Sequence, residues 1–154
     1  MDVLKPVTID ELYITPFTAR RVYDEDGVIN WVPVERNLNP TGLRTVDFIA
    51  RSFSAGQSDF KVMARQLGCS VQDLRGFLRT LTGMTADEFR NAYMFRLADD
   101  LLRYTAMTVD EVAKRSGLHS ASQLCQQFMK HRKITAINRR LALRQPRDEG
   151  RYRV

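Results

Sequence analysis

The sequence predicts an all-α fold in which a long connecting helix joins two helix-turn-helix subdomains, with a small N-terminal extension that contains a β-hairpin. The main observation is that one pattern of apolar, glycine and hydroxyl residues occurs twice, about 50 residues apart. A shift of 49 residues pairs Met63 with Val112, Ala64 with Ala113 and Gly68 with Gly117. A shift of 50 residues pairs Ser70 with Ser120, Leu74 with Leu124 and Leu78 with Phe128. Two copies are too few for a solenoid, but they suit a protein that reads two adjacent segments of a duplex.

Length and composition fit about one globular domain with extensions, since the chain has 154 residues, of which 44% are hydrophobic and 27% charged. No apolar run approaches the ~18 residues that a membrane span needs. The first residues, Met1-Asp2-Val3-Leu4-Lys5-Pro6, lack the charged and then apolar build of a secretory signal. We therefore expect a cytoplasmic protein with no membrane partner. Cys69 and Cys125 have neither Cys-x-x-Cys spacing nor a nearby histidine pair, so we expect free thiols and no metal.

Positive charge is concentrated on the repeat. The whole chain has a net charge of +6, and residues 59–144 hold fifteen Lys and Arg against eight Asp and Glu. Residues 1–58 hold six against eight. A basic surplus attracts polyanions such as nucleic acid, although Lys and Arg also occur on ordinary solvated helix surfaces.

The two ends of the chain differ from its centre. Residues 1–40 are predicted to form the N-terminal extension, because they hold four of the five prolines and an Asp26-Gly27 pair that is typical of a hairpin turn. The flanking strands are predicted within 20–23 and 28–34, and Pro33 restricts the second strand to a sheet edge. From residue 41 the apolar residues recur at helical spacing. Residues 144–154 are predicted to form a flexible basic tail.

Capping residues divide residues 41–143 into helices. Four hydroxyl residues are each followed three positions later by an acid or amide: Ser70 by Asp73, Thr85 by Glu88, Thr108 by Glu111 and Ser120 by Gln123. The predicted helices span residues 41–53, 59–66, 71–81, 86–104, 109–115, 121–131 and 136–143. Gly68 and Gly117 are predicted to take positive φ in the two tight turns. The predicted core includes Leu74, Leu78, Leu124 and Phe128.

An ordered series of motif residues continues across 41–143. It includes Met63-Ala64, Leu67-Gly68, Thr82-Gly83-Met84-Thr85, Arg96-Leu97-Ala98, Val112-Ala113, Gly117-Leu118, Ile134-Thr135 and Arg140. With these residues the chain resembles the DNA-binding domain of AraC/XylS-type bacterial transcription regulators. The resemblance implies a bacterial transcription regulator with double-stranded DNA as its partner and RNA polymerase as a further candidate partner.

The chain departs from that family at several positions. Gly76 lies on the exposed face of the first reading helix, where the family often has Arg, and Lys133 replaces a usual Gly. The second reading helix is also weakly charged. These departures keep an alternative open, which is a protein-interaction module with an AraC-like fold that has lost specific DNA contacts.

The geometry of a helix-turn-helix predicts which residues read DNA, because its second helix enters the major groove. The predicted helix 86–104 is about 28 Å long at ~1.5 Å per residue, comparable to the ~34 Å between successive major grooves. One chain would therefore read two grooves, with helices at about 71–81 and 121–131. In the first we expect Gln72 to pair with adenine, Arg75 with guanine and Arg79 with phosphate. In the second we expect contacts from Ser122, Gln126 and Lys130. The alternative for each is a solvated side chain.

Enzyme readings find no support in the motifs. The sequence has no Gly-rich phosphate loop, nucleophile elbow or His-Glu-x-x-His motif. We therefore expect no catalytic activity and no cofactor. Asp99 and Asp100 are adjacent carboxylates that we expect to face solvent. Residues 1–40 are too few for a separate sugar-binding barrel, which leaves packing, dimerisation or protein contact as roles for the extension. We expect a monomer or a weak dimer.

Overall fold

The computed structural model describes residues 5–154 as eight helices and a three-stranded sheet. The helices are α1 (Ile9–Leu12), α2 (Arg44–Ser54), α3 (Phe60–Leu67), α4 (Val71–Thr82), α5 (Ala86–Tyr104), α6 (Val109–Arg115), α7 (Ala121–Arg132) and α8 (Ala136–Leu143). The strands are β1 (Ala19–Tyr23), β2 (Ile29–Pro33) and β3 (Tyr152–Arg153). The predicted fold class is confirmed: α3 with α4 and α6 with α7 are the two helix-turn-helix units, and α5 connects them. Residues 1–4 lie outside the described residues. They belong to the predicted extension and to the first residues, in which we expect no secretory signal.

Side-chain caps determine where the helices begin. The four predicted caps are present, since each hydroxyl accepts a hydrogen bond from the backbone N–H three residues later, over 3.0 to 3.2 Å. Thr135 caps α8 in the same way, and the Asp59 carboxylate caps α3 by accepting the Lys61 N–H two residues later. The predicted start of α2 at residue 41 is wrong by three residues. There the Asp47 carboxylate accepts the backbone N–H groups of Thr41 (2.9 Å) and Gly42 (3.0 Å), which holds those residues in a loop.

The helical part contains two cores, and α5 contributes to both. Phe89 and Tyr93 of α5 pack in the first core with α2, α3 and α4. Leu97 and Leu101, further along α5, pack in the second core with α6, α7 and α8. The four predicted core residues are confirmed, each with at most 2% of its surface exposed: Leu74, Leu78, Leu124 and Phe128.

The N-terminal extension packs on the helical part. Leu12 and Ile14 are buried in the first core, and Phe17 is buried in the second. The Tyr93 hydroxyl accepts the Ile14 N–H over 3.0 Å and lies 3.3 Å from the Leu12 carbonyl oxygen. Burial raises the pKa of Tyr93 to about 12, so the hydroxyl stays protonated as a donor. Of the three roles that the sequence leaves open for the extension, packing is therefore observed.

The predicted hairpin is present, and β2 lies at the edge of the sheet as Pro33 requires. The strand order is β2-β1-β3, with both pairings antiparallel. Ala19 lies opposite Pro33 and Tyr23 lies opposite Ile29. The turn between the strands is stabilised by the Asp24 carboxylate, which accepts the N–H groups of Asp26 and Val28.

The polar composition of the C-terminal tail predicts a flexible segment. In the structure, however, the tail packs against the rest of the protein. Strand β3 pairs with β1, and Tyr152 stacks on Phe17 with ring centroids 4.6 Å apart. Asp148 is 3% exposed, and its carboxylate accepts hydrogen bonds from the Arg103 guanidinium (2.9 Å) and the Gln145 N–H (2.8 Å). Burial raises the pKa of Asp148, but these hydrogen bonds outweigh it and hold the pKa below its usual value. The ionised carboxylate thus joins the tail to α5.

Two close contacts fix the second helix-turn-helix unit against α2 and the loop that follows it. The Arg115 guanidinium donates to the Ser54 carbonyl over 2.7 Å, and the Ser58 hydroxyl donates to the Gly117 carbonyl over 2.7 Å. Gly68 and Gly117 both have the predicted positive φ, at 72° and 96°. A Cβ on Gly117 would lie 2.9 Å from the Gly56 carbonyl oxygen, whereas one on Gly68 would meet no atom within 4 Å.

Gly117→Ala is predicted to lower the free energy of unfolding much more than Gly68→Ala. Both substitutions place an L residue in the left-handed region, which costs about 1–2 kcal/mol. Only Gly117→Ala also forces a contact with the neighbouring backbone, which adds at least about 1 kcal/mol. Urea unfolding of both variants measures the difference. Equal losses would show that the turn at Gly117 does not lie close to the loop between α2 and α3.

Asp148→Ala is predicted to release the tail from the protein. The substitution leaves Arg103 and the Gln145 N–H without their acceptor, so β3 loses its anchor. Hydrogen exchange of the Arg21 N–H, which donates to the Arg151 carbonyl over 2.8 Å, should accelerate. Glu149→Ala is the matched control, because the Glu149 side chain is 62% exposed. Unchanged exchange in Asp148→Ala would contradict the proposed anchor.

Candidate nucleic-acid interface

Helix α4 presents one polar face to solvent, opposite the side that packs in the core. Leu74 and Leu78 point inward, whereas Gln72, Gly76 and Arg79 are exposed. Ser70 caps the first turn, and the αL residue Gly83 ends the helix. The packing holds α4 on its apolar side only, so its outer face is free to contact another molecule.

Arg75 differs from the other predicted contact residues of α4, because it already has partners within the chain. Its guanidinium lies 3.2 Å from the Asp87 carboxylate and 4.9 Å from the centre of the Phe60 ring. Arg90 also pairs with Asp87, over 3.0 Å, and lies 5.0 Å from the same ring centre. The two arginines therefore form a basic cluster that joins α4, α3 and the start of α5. The side chains of Arg75 and Asp87 remain 43% and 53% exposed.

Helix α7 presents the second exposed face. Ser122, Gln126 and Lys130 are all exposed, and Leu124 and Phe128 pack in the core. The helix ends at Lys133, which has a φ of 57° in the position that Gly83 occupies in the first unit. Lys133 adds a positive charge at the end of α7, at the cost of the strain that a glycine avoids.

The start of α7 is fixed by two acceptors. The Ser120 hydroxyl accepts the Gln123 N–H over 3.2 Å, and the Asp110 carboxylate of α6 accepts the Ala121 N–H over 3.2 Å. The hydrogen bond from Lys114 and that from the Ala121 N–H lower the pKa of Asp110. The carboxylate therefore stays ionised at the N-terminus of α7, where the helix dipole stabilises negative charge.

Asp99 and Asp100 are not the solvent-facing pair that the sequence predicts. The Asp99 carboxylate binds Arg132 over 2.7 Å and Arg139 over 3.0 Å, and only 18% of its side chain is exposed. The Asp100 carboxylate accepts the Tyr13 hydroxyl over 2.5 Å. Asp99 therefore joins α5 to α7 and α8, while Asp100 joins α5 to the extension. Adjacent residues of a helix point in directions about 100° apart, so they contact different neighbours.

A polar cleft of about 640 Å³ lies between the two helix-turn-helix units, and sequence reasoning did not find it. Its walls include Asp59 at the start of α3, Arg90 on α5, and Lys114, His119 and Gln123 of the second unit. These residues are far apart in the sequence and have no common motif. The basic surplus of residues 59–144 was the available signal, but it does not select individual side chains.

The six predicted contact residues divide into two groups. Arg75 is paired with Asp87, as described above. Within residues 5–154, the other five make no side-chain hydrogen bond or ion pair and are exposed: Gln72, Arg79, Ser122, Gln126 and Lys130. All six lie on α4 or α7. None of them lies on the face of its helix that packs in the core. Their contact with DNA stays a prediction.

The described residues offer no evident metal centre. In residues 5–154, no three side chains of His, Cys, Asp or Glu lie together as a possible metal site. Cys69 and Cys125 are free thiols in this part of the chain. No helix among the described residues is long and apolar enough to cross a membrane.

Comparison with known families shows which family this chain belongs to. A family described as "Helix-turn-helix domain" matches residues 63–140, which is half of the chain. The chain belongs to the AraC-type helix-turn-helix family. The matched range begins in α3 and ends in α8, so it includes both units of the AraC-type repeat and the connecting helix.

Two solved structures share the AraC-type fold. The C-terminal domain of the two-component response regulator yesN from Fusobacterium nucleatum subsp. nucleatum gives a TM-score of 0.55 at 21% identity, over 62% of this chain and 93% of that chain. The DNA-binding domain of AdpA, a global transcriptional factor in complex with a target DNA, gives 0.56 at 24% identity, over 64% and 90%. A comparison with curated proteins gave no match.

Proposed function

We propose that this protein is a sequence-specific transcription regulator that binds double-stranded DNA by inserting α4 and α7 into successive major grooves. The observation that supports the proposal is that the connecting helix α5 joins two units, each of which presents a capped helix with an exposed face, α4 and α7. Residues 41–143 form the DNA-binding unit in this proposal. The AdpA domain, which shares the fold, was solved with a target DNA. The proposal also includes a bacterial, cytoplasmic setting and RNA polymerase as a candidate second partner.

In the first groove, α4 supplies three contacts. Gln72 lies in the first turn and pairs with adenine, and Arg75 pairs with guanine. Arg79 lies one turn further along and contacts a phosphate. In the second groove, Ser122 and Gln126 contact base edges and Lys130 contacts a phosphate. The exposure of these side chains supports the assignment.

Arg75 has to exchange Asp87 for a base in this mechanism, and the energies permit it. An ion pair between half-exposed side chains contributes about 0–1 kcal/mol. A bidentate contact of arginine with guanine contributes ~1–3 kcal/mol of discrimination. The Phe60 ring, 4.9 Å from the guanidinium, holds Arg75 near the surface of α4 before DNA binds. The pair with Asp87 therefore positions the Arg75 side chain and does not prevent its contact with a base.

The cleft between the units supplies phosphate contacts in the same model of binding. Two major grooves on one face of DNA are separated by a minor groove, whose phosphates would approach the connecting helix. Arg90 and Lys114 are the cations of the cleft. Phosphate contacts of this kind position the protein and carry no sequence information.

Selection of binding sites from a random duplex pool tests the proposal. The purified protein should enrich a motif with two blocks about one helical turn, or ~10.5 base pairs, apart. Its affinity for that motif should fall steeply as salt rises. A folded protein that enriches no motif would contradict the proposal and favour a protein-interaction module instead.

Substitutions then assign the individual contacts on the selected duplex. Arg75→Ala and Gln72→Ala should each relax the preference at one base position, because they remove a base contact. Arg79→Ala should weaken binding about equally on all sequences and reduce the salt slope by about 1. Arg147→Ala, which removes an exposed cation from the C-terminal tail, is the charge-matched control. A full preference in Arg75→Ala would remove the assignment to guanine.

Gly76→Arg is predicted to strengthen DNA binding. A Cβ at Gly76 would meet no atom within 4 Å, so the helix accepts a side chain there. Both Gly76→Ala and Gly76→Arg should stabilise the protein by about 1 kcal/mol, because glycine disfavours the helix interior. The arginine variant alone should also bind duplex more tightly and steepen the salt slope by about 1. Equal binding by the two variants would show that this face of α4 does not meet DNA.

A further inference from the structure

Strand β2 leaves an open and uncharged edge on the sheet. Its sequence is Ile29-Asn30-Trp31-Val32-Pro33, with no charged residue. Strand β1 lies between β2 and β3, so β2 has a neighbour on one side only within the described residues. Exposed edge strands usually carry a charge, a bulge or a proline that prevents pairing with another strand. Here the one such residue is Pro33, at the end of the strand.

The hydrogen-bond register shows which backbone groups this edge offers. The Val34 N–H donates to the Thr18 carbonyl, and the Asp24 N–H donates to the Val28 carbonyl, both over 3.0 Å. In an antiparallel ladder the paired residues alternate, so the even-numbered residues from 28 to 34 bond to β1. The N–H and C=O groups of Ile29 and Trp31, and the carbonyl of Pro33, therefore point away from the sheet.

We propose that β2 pairs antiparallel with β2 of a second copy of this chain, about a two-fold axis at Trp31. The two Trp31 residues then exchange both of their backbone hydrogen bonds. The Ile29 N–H of each copy donates to the Pro33 carbonyl of the other, so the missing N–H of proline is not needed as a donor. The result is a continuous six-stranded sheet with four new hydrogen bonds.

The charges of the hairpin are complementary in this arrangement. Its tip carries three acids, which are Asp24, Glu25 and Asp26. Its base carries three arginines and one acid, which are Arg20, Arg36, Arg153 and Glu35. Antiparallel pairing about a two-fold axis places the acidic tip of each copy beside the basic base of the other. An unrelated strand would not supply this match, whereas a second copy supplies it twice.

Two of the three exposed apolar side chains of the hairpin fall on the same face as Trp31, and the third, Val28, lies in the turn. Opposite residues of an antiparallel pair share a face, so Tyr23 and Ile29 lie on the face of Arg21 and Trp31. Tyr23 is 53% exposed and Ile29 is 50% exposed. The Arg153 guanidinium lies 3.8 Å from the centre of the Trp31 ring. Pairing would bring two such aromatic and aliphatic faces together and bury part of both.

Sedimentation equilibrium of the full chain, over rising protein concentration, tests the inference. The wild type should pass from its monomer mass of 17.8 kDa toward twice that value. Ile29→Pro removes an outward N–H without touching the bonds to β1, and Ile29→Lys adds a charge to the edge. Both variants should remain monomers. Leu141→Lys is the matched control, since it adds the same charge at a 71% exposed position on α8 and should dimerise as the wild type does.

Two results would overturn the inference. One is a wild type that stays monomeric up to its solubility limit, and the other is a dimer that survives both Ile29 substitutions. Circular dichroism identifies a variant that has lost its fold, and a loss in Ile29→Pro leaves Ile29→Lys as the deciding variant. One chain contains both reading helices, so the monomeric variants should keep the DNA preference of the wild type. Failure of dimerisation and failure of the proposed function are therefore distinguishable.

Discussion

The relative position of the two helix-turn-helix units depends on α5 and on one contact between backbones. The helix contributes Phe89 and Tyr93 to one core and Leu97 and Leu101 to the other, so neither core is complete without it. The turn at Gly117 then lies so close to Gly56 that a single Cβ would collide with its carbonyl oxygen. Close-packed interiors have low compressibility, so such a contact resists displacement. The spacing of α4 and α7 is therefore a property of the packing, which is what a reader of two grooves requires.

Local signals in the sequence were enough to predict α2 to α8, but they did not predict the short α1 or the contacts between the helices. A cap such as Thr85 or Ser120 acts within one turn of its helix, and the matching hydrogen bonds are present. The pair of Arg75 with Asp87 joins α4 to α5, and the cleft joins three segments. Neither is marked by a periodic pattern in the sequence, because each depends on how the helices pack. The candidate base contacts could be placed on exposed faces in advance, while their neighbours could not.

The tail and the acidic pair of α5 also show that local patterns do not reveal tertiary contacts. The composition of residues 144–154 is typical of a mobile segment, yet Asp148 is buried against Arg103. Asp99 and Asp100 likewise look like solvated charges, yet each has a partner on another element. Burying a carboxylate is costly unless hydrogen bonds and a cation compensate for it. The arginine and tyrosine side chains that supply this compensation lie 33 to 87 positions away, which no local pattern reveals.

The weak charge of α7 and the open edge of β2 have consequences for each other. In the proposed complex Ser122 and Gln126 offer neutral hydrogen bonds, so the second groove would add less affinity than α4 with its arginines. Four hydrogen bonds between edge strands, at about 1 kcal/mol each, are a small gain against the entropy of association, so the free protein dimerises weakly. Two copies bound to neighbouring sites on DNA raise each other's effective concentration, and the same weak pairing then becomes favourable. A regulator built in this way would gain affinity at paired sites, with no need for strong contacts in every groove, while each chain keeps its own base preference.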